Sequence, residues 1–144
     1  MTIRPRAVRA LRDVRERLRD AAAATHATAS AARDASQVAL VDEMHRLARH
    51  VDEAEQVLSN ARTVYDLERY DEDTGVHRIA IADATKRRDQ ATAASQITAT
   101  SLRDSTRRLR SAEKLVEIVE TNRDRRASAA EQRANDDLAA RRAR

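Results

Sequence analysis

The sequence predicts an all-α protein in which two long antiparallel helices form a coiled-coil hairpin. Three observations favour this fold class. The 144 residues contain one proline, Pro5, and one glycine, Gly75. Apolar residues recur at heptad spacing in both halves of the chain. When the chain is folded near its midpoint, large side chains of one half lie opposite small side chains of the other. We therefore expect a single helical-hairpin domain over residues 1–144.

The two helices are predicted over residues 6–69 and 76–142. Pro5 suits the start of the first helix, because the N–H that proline lacks has no intrahelical partner there. Gly75 closes the acidic stretch 70–75, and glycine supplies the left-handed conformation that commonly ends a helix. The turn is therefore predicted at 70–75, and each helix should be roughly 90–100 Å long at 1.5 Å per residue.

Both predicted helices carry a heptad seam, in which apolar or small residues follow alternating steps of three and four. In the first helix these residues are Leu40, Met44, Leu47, Val51, Ala54, Leu58, Ala61 and Tyr65. In the second helix they are Leu102, Ser105, Leu109, Ala112, Val116 and Val119. Such seams are typical of helices that pack side by side as a coiled coil.

Side-chain volume favours a hairpin over a dimer of straight helices. Folding the chain about residues 72–73 pairs positions whose numbers add to roughly 145, so the alanine-rich stretch 21–39 faces the larger residues of 106–124. Residues 40–51, which are large, then face the small residues of 94–105. Close packing favours such pairs of large and small residues. In a parallel homodimer the alanine stretch would face itself and leave a weak seam.

The composition excludes an ordinary globular core. Charged residues make up 36% of the chain, there are two tyrosines and no phenylalanine or tryptophan, and alanine supplies most of the apolar share. Disorder is the competing interpretation, but a chain poor in glycine and proline and rich in alanine and arginine favours helix. The absence of cysteine fits a reducing cytosol, and no apolar run is long enough for a signal peptide or a membrane span. The alanine and arginine bias is typical of GC-rich bacterial genomes.

Positive charge is concentrated in the two terminal regions. Residues 1–20 contain seven arginines and three acidic residues, and residues 103–144 contain twelve basic and eight acidic residues, so each region has a net charge of +4. The region between them therefore has a net charge of −4. In an antiparallel hairpin both termini meet, so the sequence predicts a basic terminal end and an acidic turn.

The sequence shows no catalytic, cofactor-binding or metal-binding motif. His45 and His50 are five residues apart and so lie on different faces of a helix, and His50 with Glu53 has no second ligand cluster nearby. We therefore expect no enzyme activity, no cofactor and no metal. Nucleic-acid binding is the least favoured class, because acidic residues alternate with the terminal arginines and no aromatic residue offers a surface for base stacking.

The end of the second helix resembles the FliJ/YscO family of type III secretion proteins. In that family the second helix of a helical hairpin closes on Gln, a basic residue, two variable positions, Asp, an acid, an apolar residue, Ala, any residue, then Arg. Gln132, Arg133, Asp136, Asp137, Leu138, Ala139 and Arg141 fill that pattern in register. The run around Ala54 to Leu58, followed by Tyr65 and Tyr70, resembles the first helix of the family only loosely.

The resemblance implies a central stalk protein that is cytoplasmic and peripheral to the inner-membrane secretion apparatus. Its paired termini would enter the hexameric secretion ATPase, its turn would point to the cytosolic domain of the export gate, and it could also bind secretion chaperones. The expected ATPase-facing residues are Arg9, Arg12, Arg123, Arg126, Gln132, Arg133, Asp136, Asp137, Leu138 and Arg141. The expected gate-facing tip comprises Tyr70, Val76, Ile79 and Ile81, which would otherwise pack in the seam. The alternative is a generic cytosolic helical-hairpin adaptor or scaffold without an ATPase partner.

Overall fold

The computed structural model describes residues 5–61 and 63–142, and the side chains of 55, 57, 140 and 141 lie outside that description. It contains α1 (Pro5–Asp52), α2 (Ala54–Asn60) and α3 (Val64–Arg142). Helices α1 and α3 pack antiparallel, so the predicted all-α hairpin is confirmed. Internal contacts divide the chain into two units: unit 1 comprises residues 1–23 and 101–144, and unit 2 comprises residues 24–100.

The predicted turn at residues 70–75 is wrong, because these residues lie inside α3. The predicted helix bounds change with it. The first long helix ends at Asp52 instead of residue 69, and the second begins at Val64 instead of residue 76. The short helix α2 lies between them and ends at Asn60, and its C-cap residue Ala61 has an extended backbone (φ −64°, ψ 121°). Gly75 does not have a positive φ, so it does not provide the left-handed cap on which the prediction depended.

The start of α3 is fixed by a reciprocal hydrogen-bond pair between Thr63 and Asp66. The Thr63 backbone N–H and hydroxyl donate to Asp66 Oδ2 at 3.0 and 2.9 Å. In return the Asp66 N–H donates to Thr63 Oγ1 at 3.3 Å. This is a capping box with aspartate at its third helical position, and it satisfies N–H groups that the first turn of a helix leaves without partners.

The register between the helices also differs from the prediction. In unit 2, His26 Nδ1 lies 3.2 Å from Thr98 Oγ1 and His50 Nε2 lies 3.1 Å from Thr74 Oγ1. The residue numbers of both pairs add to 124, whereas the predicted register required about 145. This sum places the fold centre between the end of α2 and the start of α3, in agreement with the capping box at Thr63. The alanine-rich residues 24–39 therefore face residues 85–100, and the predicted pairing of residues 21–39 with 106–124 is wrong.

Small side chains allow close packing in unit 2. The register places Leu40 opposite Ala84, and both are buried. Nearer the turn, the His50 ring stacks on Tyr70 with 4.5 Å between ring centroids and lies 5.1 Å from the ring of His77. The Tyr70 hydroxyl also donates to the His50 carbonyl oxygen at 3.4 Å. These contacts join the end of α1 to α3.

The predicted seam of the second helix is confirmed, and that of the first helix is only half correct. Leu109 and Ala112 are buried, and the other predicted seam positions of α3 are half-buried: Leu102, Ser105, Val116 and Val119. In the first half of the chain every second predicted position is exposed: Met44, Val51, Leu58 and Tyr65. The half-buried positions there instead alternate between apolar and polar residues, such as Leu47 and His50.

Replacing Gly75 with alanine should stabilise the protein by about 0.5–1 kcal/mol, because glycine costs helix stability and a Cβ at this position meets nothing within 4 Å.

Thr63→Ala should destabilise the protein by about 1 kcal/mol, because the capping box loses an acceptor. Thr100→Ala, at an exposed position inside α3, is the matched control and should not destabilise the protein, because alanine has the higher helix propensity. Urea denaturation followed by circular dichroism measures all three. A destabilised Gly75→Ala variant would indicate a turn at residues 70–75.

Enlarging Ala84 should destabilise unit 2, because this side chain is only 1% exposed and the register places it against Leu40. We expect Ala84→Leu to cost about 1–3 kcal/mol through overpacking. Ala82→Leu adds the same side chain at an exposed position two residues away, and its effect should stay within about 0.5 kcal/mol. Thermal melting of both variants provides the comparison, and equal effects would contradict the register.

Candidate functional site

The carboxyl-terminal part of α3 extends past the start of α1. Arg9 of α1 bonds to Glu120 of α3, so the first turn of α1 lies beside the residues around Glu120. Helix α3 nevertheless continues to Arg142. Every residue from Thr121 to Ala139 is exposed, and we call this stretch the C-terminal segment. It is a helix whose whole circumference is open to a partner.

Most of the predicted ATPase-facing residues lie in the C-terminal segment. The structure places Arg123, Arg126, Gln132, Arg133, Asp136, Asp137 and Leu138 there, all of them exposed. Arg141 lies in the last turn of α3, and its side chain is outside the described part of the chain. Leu138 is the large apolar residue among them, with 53% of its surface exposed. The segment therefore presents mixed charges and one large apolar side chain.

The two amino-terminal residues of the predicted site are already engaged within the protein. The Arg9 guanidinium donates to Glu120 Oε1 through Nη2 at 2.7 Å and Nε at 3.1 Å. Arg12 donates through Nη2 and Nε to Asp13 Oδ1 at 2.7 and 3.1 Å. This hydrogen bond to Asp13, with the added effect of its negative charge, raises the pKa of Arg12 above its ordinary value. Arg9 therefore joins the two helices of unit 1, and Arg12 is half-buried between them.

The residues predicted for the gate-facing tip do not form a tip, because the turn lies earlier in the chain. Tyr70 and Ile81 are half-buried, and Tyr70 stacks on His50. Val76 and Ile79 are exposed on the side of α3. The exposed apolar residues that flank the actual turn are Leu58, Val64, Tyr65 and Leu67. The Thr-x-x-Asp pattern at 63–66 is the sequence signal that would have located this turn.

A groove of about 780 Å³ lies beside the turn, within unit 2. Its lining includes His50 and Tyr70 together with the polar residues Asn60, Arg69 and Asp73. Among the described residues, no group of three or more His, Cys, Asp or Glu side chains is arranged to hold a metal ion. None of the described helix stretches combines the length and the apolar character needed to cross a membrane.

Comparison with known proteins adds no family assignment. No family model matches the chain, and no curated protein or solved structure matches it either. The exposed residues of the C-terminal segment are therefore the candidate functional site.

Proposed function

We propose that this chain is a central stalk protein of a type III secretion apparatus, which inserts its terminal end into the hexameric export ATPase. One observation carries the proposal. The residues that match the FliJ/YscO pattern lie on an exposed segment of α3 that extends past α1, so they are available to a partner. The alternative, a helical-hairpin adaptor, shares the fold but makes no use of that pattern.

The dimensions of the C-terminal segment suit a narrow channel. A single helix is about 10–12 Å across with its side chains, and the part of α3 from Thr121 to Arg142 is about 33 Å long at 1.5 Å per residue. A paired region of two helices is wider. The segment is therefore the part of unit 1 best able to enter the lumen of a protein ring.

The charges of the segment support contact with a protein more than with a uniform polyanion. Arg123, Arg126 and Arg133 are exposed on the same helix as Asp136 and Asp137. A mixed pattern can pair with a complementary pattern on a protein wall, and the mismatched charges disfavour wrong partners. Each exposed pair contributes little alone, because water and salt screen it, so binding should depend on several residues together.

In this proposal the residues that contact the export gate are those next to the actual turn. Leu58, Val64, Tyr65 and Leu67 are exposed apolar residues next to the capping box, and they replace the residues predicted from the sequence. Exposed apolar residues close together are typical of protein-binding sites. A stalk of this kind acts at the cytoplasmic side of the inner membrane, and it meets secretion chaperones there as further partners.

The proposal is tested by capture of the export ATPase encoded in the same genome on immobilised protein. Reversing Arg123, Arg126 and Arg133 together to glutamate should reduce capture by at least tenfold, because three favourable contacts become repulsive. The helical content should stay nearly intact, since these side chains are exposed. Arg9 is left unchanged, because its loss would break the ion pair with Glu120.

A matched control reverses three exposed basic residues of unit 2, Arg78, Lys86 and Arg87. This variant has the same change in net charge and should capture the ATPase as the unmodified protein does. Equal loss in both variants would indicate a non-specific charge effect and contradict the proposed site. If the unmodified protein captures no export ATPase, the adaptor interpretation replaces the stalk.

A further inference from the structure

The two helices of unit 1 have two flanks of different chemistry. In a heptad lettered a to g, the residues facing α3 from α1 are Val8, Arg12, Arg15 and Arg19, at positions a and d. The residues facing α1 from α3 include Leu109 and Ala112. Positions e and b then lie on one flank of the pair, and positions g and c lie on the other.

The Arg9–Glu120 ion pair confirms this assignment of flanks. Both residues fall at position e of their helices, and their side chains meet at 2.7 Å. In antiparallel coiled coils e faces e and g faces g across the seam, so the two e residues belong to one flank. Leu11 of α1 and Leu115 of α3 both fall at position g. They therefore lie on the other flank, beside each other.

That second flank carries a continuous set of large aliphatic side chains, which we call the aliphatic patch. Its members share positions g and c, and each is 40–55% exposed: Leu11, Val14, Leu18, Leu115 and Ile118. On α1 the spacing of three and four residues matches the spacing at which a helix presents apolar residues to a partner helix. The patch therefore has the residue spacing needed to pack against another helix.

Basic residues outnumber acidic residues around the aliphatic patch. Five basic residues border it. Arg108 and Arg125 lie on the same flank of α3, and three more lie at position f, on the helix faces that point away from the seam: Arg17, Arg107 and Lys114. Over residues 6–20 and 103–125, Asp104 is the one acidic residue at these positions, and it pairs with Arg107 at 3.8 Å. The opposite flank has seven acidic and four basic residues of its own, Asp13, Glu16, Asp20, Glu113, Glu117, Glu120 and Asp124 against Arg6, Arg9, Arg103 and Arg110. It also borders the three basic residues at position f, so its net charge over residues 6–20 and 103–125 is zero, whereas that of the patch flank is +4.

We propose that the aliphatic patch is a docking site for an acidic amphipathic helix of a partner protein. The partner helix would lie along the groove between α1 and α3 and place its apolar stripe on Leu11, Leu18 and Ile118. Its flanking Glu or Asp side chains would face the basic border. Apolar burial supplies the affinity of such a helix-in-groove complex, and complementary charge selects the partner.

The charge border argues against a second copy of this chain as the occupant. In a symmetric dimer through the patch, the basic borders of both copies would face each other, and like charges across an interface disfavour association. The groove between two antiparallel helices that lie side by side also fits the ridge of a third helix better than it fits a flat surface. An anionic membrane is therefore less well matched than a helix, and it serves as an outcome of the test.

The test uses a synthetic helical peptide of about three heptads with leucine at positions a and d and glutamate at positions e and g. A second peptide carries lysine in place of each glutamate. Binding is measured by fluorescence anisotropy with the full-length protein. We expect the glutamate peptide to bind, the lysine peptide to bind at least tenfold more weakly, and added salt to reduce the difference.

Substitutions in the patch locate the binding site. Val14→Glu and Ile118→Glu should each weaken binding of the glutamate peptide by at least tenfold, because each places a negative charge within the apolar contact. Val38→Glu and Ile97→Glu are matched controls on exposed apolar residues of unit 2, and they should leave affinity unchanged within about twofold. Circular dichroism checks that all four variants keep the helical content.

Several outcomes would overturn the inference. These are failure of the unmodified protein to bind the glutamate peptide, equal binding of both peptides, or equal losses in patch and control variants. Binding to phosphatidylserine vesicles without binding to the glutamate peptide would assign the patch to a membrane instead. A dimer in solution that Val14→Glu dissociates would assign it to a second copy. None of these results depends on the export ATPase, so the inference is tested independently of the proposed function.

Discussion

The capping box between Thr63 and Asp66 is the interaction on which the rest of the structure depends, because it sets where α3 begins. With the turn before Val64, α1 has 48 residues and α3 has 79. Two antiparallel helices of such unequal length cannot pair throughout. The exposed C-terminal segment is therefore a direct consequence of the position of the turn. A turn at residues 70–75 would give helices of nearly equal length and no such segment.

A second constraint is the packing of the amino-terminal part of α1, which faces α3 with arginine side chains instead of leucine side chains. Arg12, Arg15 and Arg19 are half-buried there, and Leu11 and Leu18 face outward. Arginine can pack its aliphatic stem on Leu109 and keep its guanidinium near water, so this arrangement is feasible. It still leaves Arg19 Nε buried without a hydrogen-bond partner among the described residues. Because the arginines face α3, the aliphatic residues of α1 are left exposed and form the aliphatic patch.

The sequence predicts the fold class and one seam correctly, since helix propensity and heptad spacing are local properties. The predicted turn is wrong because Gly75 is accommodated inside α3, whereas the Thr63–Asp66 capping box starts this helix earlier in the chain, and the register error follows from that difference. Arg123 and Arg133 are exposed, and their contact with an ATPase stays a prediction. The engagement of Arg9 with Glu120 could not be predicted, because it depends on the register. The outward orientation of Leu11 could not be predicted either, because α1 carries both an apolar stripe and an arginine stripe, and only packing decides which of them faces α3.

The register is the central claim, and disulfide trapping tests it most directly, because the chain contains no cysteine. Ala29 and Ser95 are opposite each other in the register of the structure, and their replacement by cysteine changes little volume. Under mild oxidation at low protein concentration, the Ala29→Cys/Ser95→Cys protein should form an intramolecular disulfide, since facing positions come close enough for one. The Ala29→Cys/Val116→Cys protein should not. Rapid disulfide formation in the second protein and none in the first would contradict the account.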